Sequence, residues 1–219
     1  MTDNERIVLD DFIFDFYFEM AANDAMNRVS KEGDKKKLIK KENNKIKSAV
    51  KEYVESIING DNNLCFDDAV NKITEENNKS NEKIEHFSFG KIQKLINMTI
   101  KYLYVKYYDN PKIAIQFDIC DAPMDSYMMK FVFECYKYFY NEKPSYDKYK
   151  AWSTLKNKED EYESFQKAID SIIYKSRLKI NRIMFDYFYW SRAKETCGDR
   201  ILKEEIKKIC DNMNNDRFL

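Results

Sequence analysis

Four glycines and three prolines are the only strong chain-breaking residues in 219 positions. Sandwiches and barrels reverse direction roughly every 8–12 residues, and their turns draw on Gly and Pro for conformations other residues adopt at a cost. A chain this poor in both must run far between breaks, which restricts it to an all-α architecture of about eight helices. Hydrophobic residues at 43% and aromatics at 15% supply a core and separate the chain from disordered compositions. The length admits a single helical domain over 1–219. It equally admits two helical lobes with a cleft between them, one of residues 60–130 packed on a second built from the N- and C-terminal helices.

Apolar periodicity predicts helices over 6–27, 34–58, 66–78, 88–108, 124–142, 159–175, 178–192 and 199–213. Gly60 suits a helix stop, Asp67 or Asp68 a helix start, and Ser88 an N-cap. Residues 109–122, which include Pro111, read as irregular.

The 38 basic and 38 acidic side chains cancel, so net charge alone selects no polyanionic partner. Their distribution is uneven. Residues 1–30 hold seven acids against Arg6 and Arg28, residues 31–51 hold nine lysines, and no acid occurs from His86 to Tyr108. The lysines at 35–47 could contact a phosphate backbone, although a lysine-rich helix start is ordinarily a solvated face. Five cysteines without a CxxC pair, and a single histidine, His86, argue against a metal site of the common zinc kinds. Free thiols fit a cytoplasmic setting, and every apolar run is broken by charge short of membrane-spanning length.

Chemistry is concentrated in "FGKIQKLINMTIKYLY", residues 89–104. At about 100° per residue, Gly90, Lys94, Asn97, Lys101, Tyr104 and Tyr108 fall in one sector of that helix. Ile92, Leu95, Ile96, Met98, Ile100 and Leu103 occupy the rest, so the polar sector should line a cleft. Gly90, without a Cβ, permits close approach of a ligand or backbone. The plainer explanation is snorkelling lysines and an asparagine bonded to a nearby loop. A second segment, "CDAPMDSYMMKF" (120–131), places Asp125 at a helix start, where Asp is ordinarily an N-cap.

Together, "FGKIQKLINMTIKYLY … APMDSY" resembles the catalytic core of helix-hairpin-helix DNA glycosylases, nearest the archaeal 8-oxoguanine glycosylase branch. The same segment, with "AWSTL" at 151–155, also resembles uncharacterised bacterial helical proteins, which implies a place in phage defence on modified DNA. The resemblance implies a catalytic Lys94, an assisting Asp125 and a second lysine, Lys101, two turns on. Of the Gly-rich phosphate-holding turn usual in that superfamily, "HFSFGK" retains only Gly90. It further implies duplex DNA carrying a modified or damaged base as partner, and no cofactor.

A lysine amine titrates near ~10.4 in water, too high for a nucleophile at neutral pH. Burial and a neighbouring cation such as Lys101 both favour its neutral form. On this expectation Lys94 displaces a flipped base and Asp125 moves a proton or steadies charge on the sugar, with Asn97 orienting either. Tyr104, Tyr108, Trp152 and Trp190 are candidate stacking walls, although aromatics at helical spacing are more often core. The competing reading is a non-enzymatic helical interaction protein acting in phage–host conflict. An all-helical nuclease is a weaker rival, since His86 has no arginine a few residues away and the paired acids at 10–11 and 67–68 suit surface or cap positions.

Overall fold

The computed structural model of the chain describes residues 7–26, 38, 44–61, 64–81, 83–158 and 161–214. The described residues form nine α-helices and two 3-10 turns and contain no strand. The chain divides into two compact units, Met1–Ile119 and Cys120–Leu219. The expected lobe of residues 60–130 straddles that division. Most of the lysine-rich stretch at 31–43, and the start of the helix expected over 34–58, lie outside the described residues.

In the first unit, α1 (Asp11–Met26) packs along α4 (Phe89–Tyr107). Its inward face repeats at three and four residues, with Phe14, Phe18, Ala21, Ala22, Ala25 and Met26 buried. Three alanines in the last two turns allow close helix approach there. Tyr17 stacks on Tyr102 at 6.3 Å, and the Tyr102 hydroxyl donates to Asp24. Helix α2 (Asn44–Ile58) packs on α3 (Phe66–Lys79), Tyr53 meeting Phe66 edge-on at 6.3 Å, and it buries Ile46, Val50, Tyr53, Val54 and Ile57. It stops where expected: Gly60 sits at φ +64°, its N–H donating to the Ile57 carbonyl at 2.9 Å. The positive φ favours glycine there, while a Cβ, 3.0 Å from the Gln116 amide oxygen, would ask only for a small shift of that side chain.

Helix α3 starts differently from expectation. Its N-cap is Cys65, whose sulfur accepts the Asp68 N–H at 3.4 Å, while the Asp68 carboxylate accepts the Cys65 N–H at 3.0 Å. Asp68 therefore closes a capping box from the third helical position. Residues 109–122 are also more ordered than expected. Pro111 opens a short helix, α5 (Pro111–Ala114), because its missing N–H costs nothing at a helix start, and a 3-10 turn follows over Ile115–Ile119.

In the second unit, α6 (Ser126–Tyr140) packs against α7 (Glu161–Ser176), α8 (Arg182–Thr196) and α9 (Lys203–Asn214). The last two begin four residues later than their periodicity suggests. For α8 the cause is Asn181, whose side chain accepts the Met184 N–H at 2.8 Å and so sets the start. Gln166 on α7 binds both backbone groups of Ala122, at 3.1 and 2.8 Å, and holds the segment leading into α6. The core includes Phe131 stacked on Tyr189 at 6.0 Å and Tyr146, whose hydroxyl donates to the Met129 carbonyl at 2.8 Å.

Cys135, Cys197 and Cys210 share this core, and burial pushes the Cys135 thiol well above its ordinary value. Cys120 is buried too, whereas Cys65 is exposed. Native protein should therefore present one thiol to an aromatic disulfide reagent, and urea should release five. Rapid labelling of more than one thiol without denaturant would contradict this arrangement.

Candidate functional site

Helix α4 is where the chain's unusual polar burial lies. Ser88 caps it by accepting the Lys91 N–H at 3.4 Å. From Phe89 to Tyr104 every residue except Met98 and Tyr102 is buried. That includes Lys91 at 1% exposure, Lys94 at 8% and Lys101 at 9%. By helical geometry these three lysines span about 80° of the circumference. Lysine is almost never buried without partners, since its ammonium loses hydration there.

The neutral polar groups are bonded mostly within the helix. Gln93 donates to the Gly90 carbonyl at 2.9 Å, Asn97 donates to the Gln93 amide oxygen at 3.3 Å, and Thr99 donates to the Leu95 carbonyl at 2.8 Å. Gly90, Lys94, Asn97 and Lys101 are thus brought together on one buried helix, as their spacing predicts. The polar set is broader than a single stripe, because Lys91, Gln93 and Thr99 join it on neighbouring rows. Tyr108 does not: it caps the helix C-terminus and is 55% exposed, its ring edge-on to Tyr104 at 5.9 Å.

Asp125 belongs to the second unit and is the N-cap of α6. One carboxylate oxygen accepts the Tyr127 and Met128 N–H groups at 2.9 and 3.0 Å. The other accepts the Trp190 indole N–H at 3.0 Å. Trp190 in turn meets Tyr127 edge-on at 6.5 Å, and the Lys194 ammonium lies 5.4 Å from its ring centre. Asp125 is a capping residue, as its plainer explanation holds, and it is also a buried carboxylate anchored by an indole 65 residues away. Trp152 is buried separately, in the 3-10 turn Trp152–Thr154.

Replacing Asp125 by Ala removes the cap and should cost about 1–2 kcal/mol in urea unfolding. Asp125→Asn keeps an oxygen for the backbone N–H groups but turns its NH₂ toward the Trp190 indole N–H, so it should destabilise as well.

Two further polar arrangements escape the sequence. Arg182 donates to Asp121 and also forks onto Asp170, at 2.7 and 2.6 Å. Tyr162 donates to Asp121 at 2.9 Å. Burial pushes the Asp121 carboxyl up, and Arg182 and Tyr162 pull it partly back. Glu134 pairs with Lys148, whose ammonium rests 4.4 Å from the Phe133 ring centre. Asp186, at 1% exposure on α8, is a third buried acid. Only Lys91 carried a sequence signal, since it precedes Lys94 by one helical turn.

Among the described residues no group of three or more His, Cys, Asp or Glu side chains is arranged to hold a metal ion. No described helix is long and apolar enough to cross a membrane. Family models, curated proteins and solved structures yield no match to the chain.

Proposed function

We propose that this protein is a DNA glycosylase that removes a modified or damaged base through the amine of Lys94. The observation that supports this reading is the burial of Lys91, Lys94 and Lys101 along one helix. Lysine is among the side chains least often buried, so three on one helix set it apart from an ordinary core helix.

In the proposed reaction the Lys94 nitrogen forms a bond to C1′ of an everted nucleotide while the bond from C1′ to the base nitrogen breaks. The electron pair leaves with the base, which takes a proton. The amine gives up two protons, one to the departing base and one to the ring oxygen O4′, whose bond to C1′ breaks as the sugar opens, leaving an imine between Lys94 and C1′. Lys91 and Lys101 contribute positive potential that suits a phosphate-bearing substrate.

The test is base release. Purified protein is incubated with duplexes carrying single oxidised, alkylated or glucosylated bases and with phage DNA, and free base is measured by mass spectrometry. Release from any of these supports the reading, and release from none refutes it.

A further inference from the structure

The outward face of α1 has a feature unrelated to the buried lysines. Phe12 is 81% exposed and Phe16 is 56% exposed, one helical turn apart, and Val8, just before the helix, is 74% exposed. Single exposed apolar residues are ordinary on a surface, but two phenylalanines in one row form a continuous ridge. The neighbouring Phe14 and Phe18 are fully buried, so the helix is apolar on both faces. Two exposed phenylalanines opposite the buried pair make an apolar patch of the kind that marks an interaction surface.

The surroundings of the ridge are acidic. From Asp11 to Met26 the helix carries Asp11, Asp15, Glu19 and Asp24 and no basic residue. Glu19 falls in line with Phe12 and Phe16 by helical geometry, and it is exposed. Asp10 and Asp11 are exposed at the helix start. On one flank α2 offsets part of this charge, with Lys47 bonded to Asp15 at 2.9 Å and Lys51 to Asp11 at 2.5 Å. Asp10 and Glu19 leave the face net negative.

We propose that this face of α1 is a docking surface for a basic amphipathic helix of another protein. The partner lays apolar side chains spaced three and four residues apart over Phe12 and Phe16, and its flanking Lys or Arg side chains meet Asp10, Asp11 and Glu19. This is the helix-on-ridge mode of recognition, in which a few aromatic residues supply most of the affinity. A second copy of the chain is a poor occupant, since its α1 would bring Asp11, Asp15 and Glu19 against their own equivalents.

The probe is a fluorescent synthetic peptide of leucines and lysines with leucine at amphipathic helical spacing. A second peptide has glutamate in place of every lysine. Anisotropy with the full chain should show saturable binding of the lysine peptide, weakening as salt is raised. The Phe12→Ser/Phe16→Ser variant should bind at least about tenfold more weakly, with an unchanged melting temperature because both rings are exposed. Glu19→Lys should weaken binding without touching the apolar ridge. Base release through Lys94 should be the same in all these variants, so failure here is distinct from failure of the glycosylase reading. Equal binding of the glutamate peptide, or binding indifferent to the serine variant, overturns the proposal. So does sedimentation of the protein as a dimer that the serine variant converts to monomer, which would make a second copy the occupant.

Discussion

A Lys94→Gln variant is expected to form no covalent adduct with modified duplex DNA in the presence of borohydride, whereas the parent chain forms one. Borohydride reduces an imine between an amine and C1′ to a stable secondary amine, so a protein band carrying labelled DNA reports the nucleophile directly. Glutamine preserves most of the side chain's length and packing but offers no basic nitrogen. Removing a nucleophile outright leaves only binding and positioning effects, so the loss should reach several orders of magnitude. Lys101→Gln and Lys91→Gln serve as comparisons: each removes a buried cation from the same helix and should weaken the reaction while leaving an adduct detectable. An adduct of equal yield in Lys94→Gln would assign the chemistry elsewhere. Matching melting curves for the lysine variants would separate chemistry from folding.

The largest effect on stability is expected at Arg182. Its guanidinium donates to Asp121 and grips Asp170 at 2.7 and 2.6 Å, so it joins the segment before α6 to α7 and α8. The Asp121 side chain is 14% exposed, and Arg182→Leu takes away its guanidinium donor and leaves it the Tyr162 hydroxyl. Breaking a pair this far from water costs on the order of 3 kcal/mol, a large part of the stability of an ordinary domain. The loss should depend on pH in a defined direction. Burial already holds the Asp121 carboxyl above its usual range, and removing Arg182 takes away the principal opposing influence. A carboxyl raised in the folded state contributes stability that is fully present below its unfolded value of 3.8 and is lost as pH rises through the folded value. The variant should therefore lie closest to the parent near pH 4 and fall furthest behind at neutral pH. Urea midpoints at several pH values measure this, and a deficit that grows on acidification would contradict the assignment.

The difference between these two sites shows where local reading succeeds. Lys94 and Lys101 could be found because a helix repeats every 3.6 residues, and apolar neighbours on the remaining rows mark the helix as buried. Arg182 could not, because its partners stand 61 and 12 residues away and one of them follows an irregular turn. The same holds for Asp125. Its place after Pro123 marks a helix start, but the Trp190 indole reaches it from 65 residues on. Phe12 lies in the same apolar run as Phe14 and Phe18, yet it is exposed where they are buried. Its helix is apolar on both sides, so periodicity could not select the face that packs on α4.

What the amino-acid order settled alone is the class and much of the local architecture. Scarce Gly and Pro excluded a sheet fold, Gly60 ended α2, and Ser88 and Asp125 began α4 and α6, because each of these effects acts within a turn or two of chain. The tertiary structure decided which charges are buried, that Arg182 joins Asp121 to Asp170, and which face of α1 is covered. Those depend on which segments meet in space, and burial of a lysine or pairing of an aspartate is set by neighbours far along the chain.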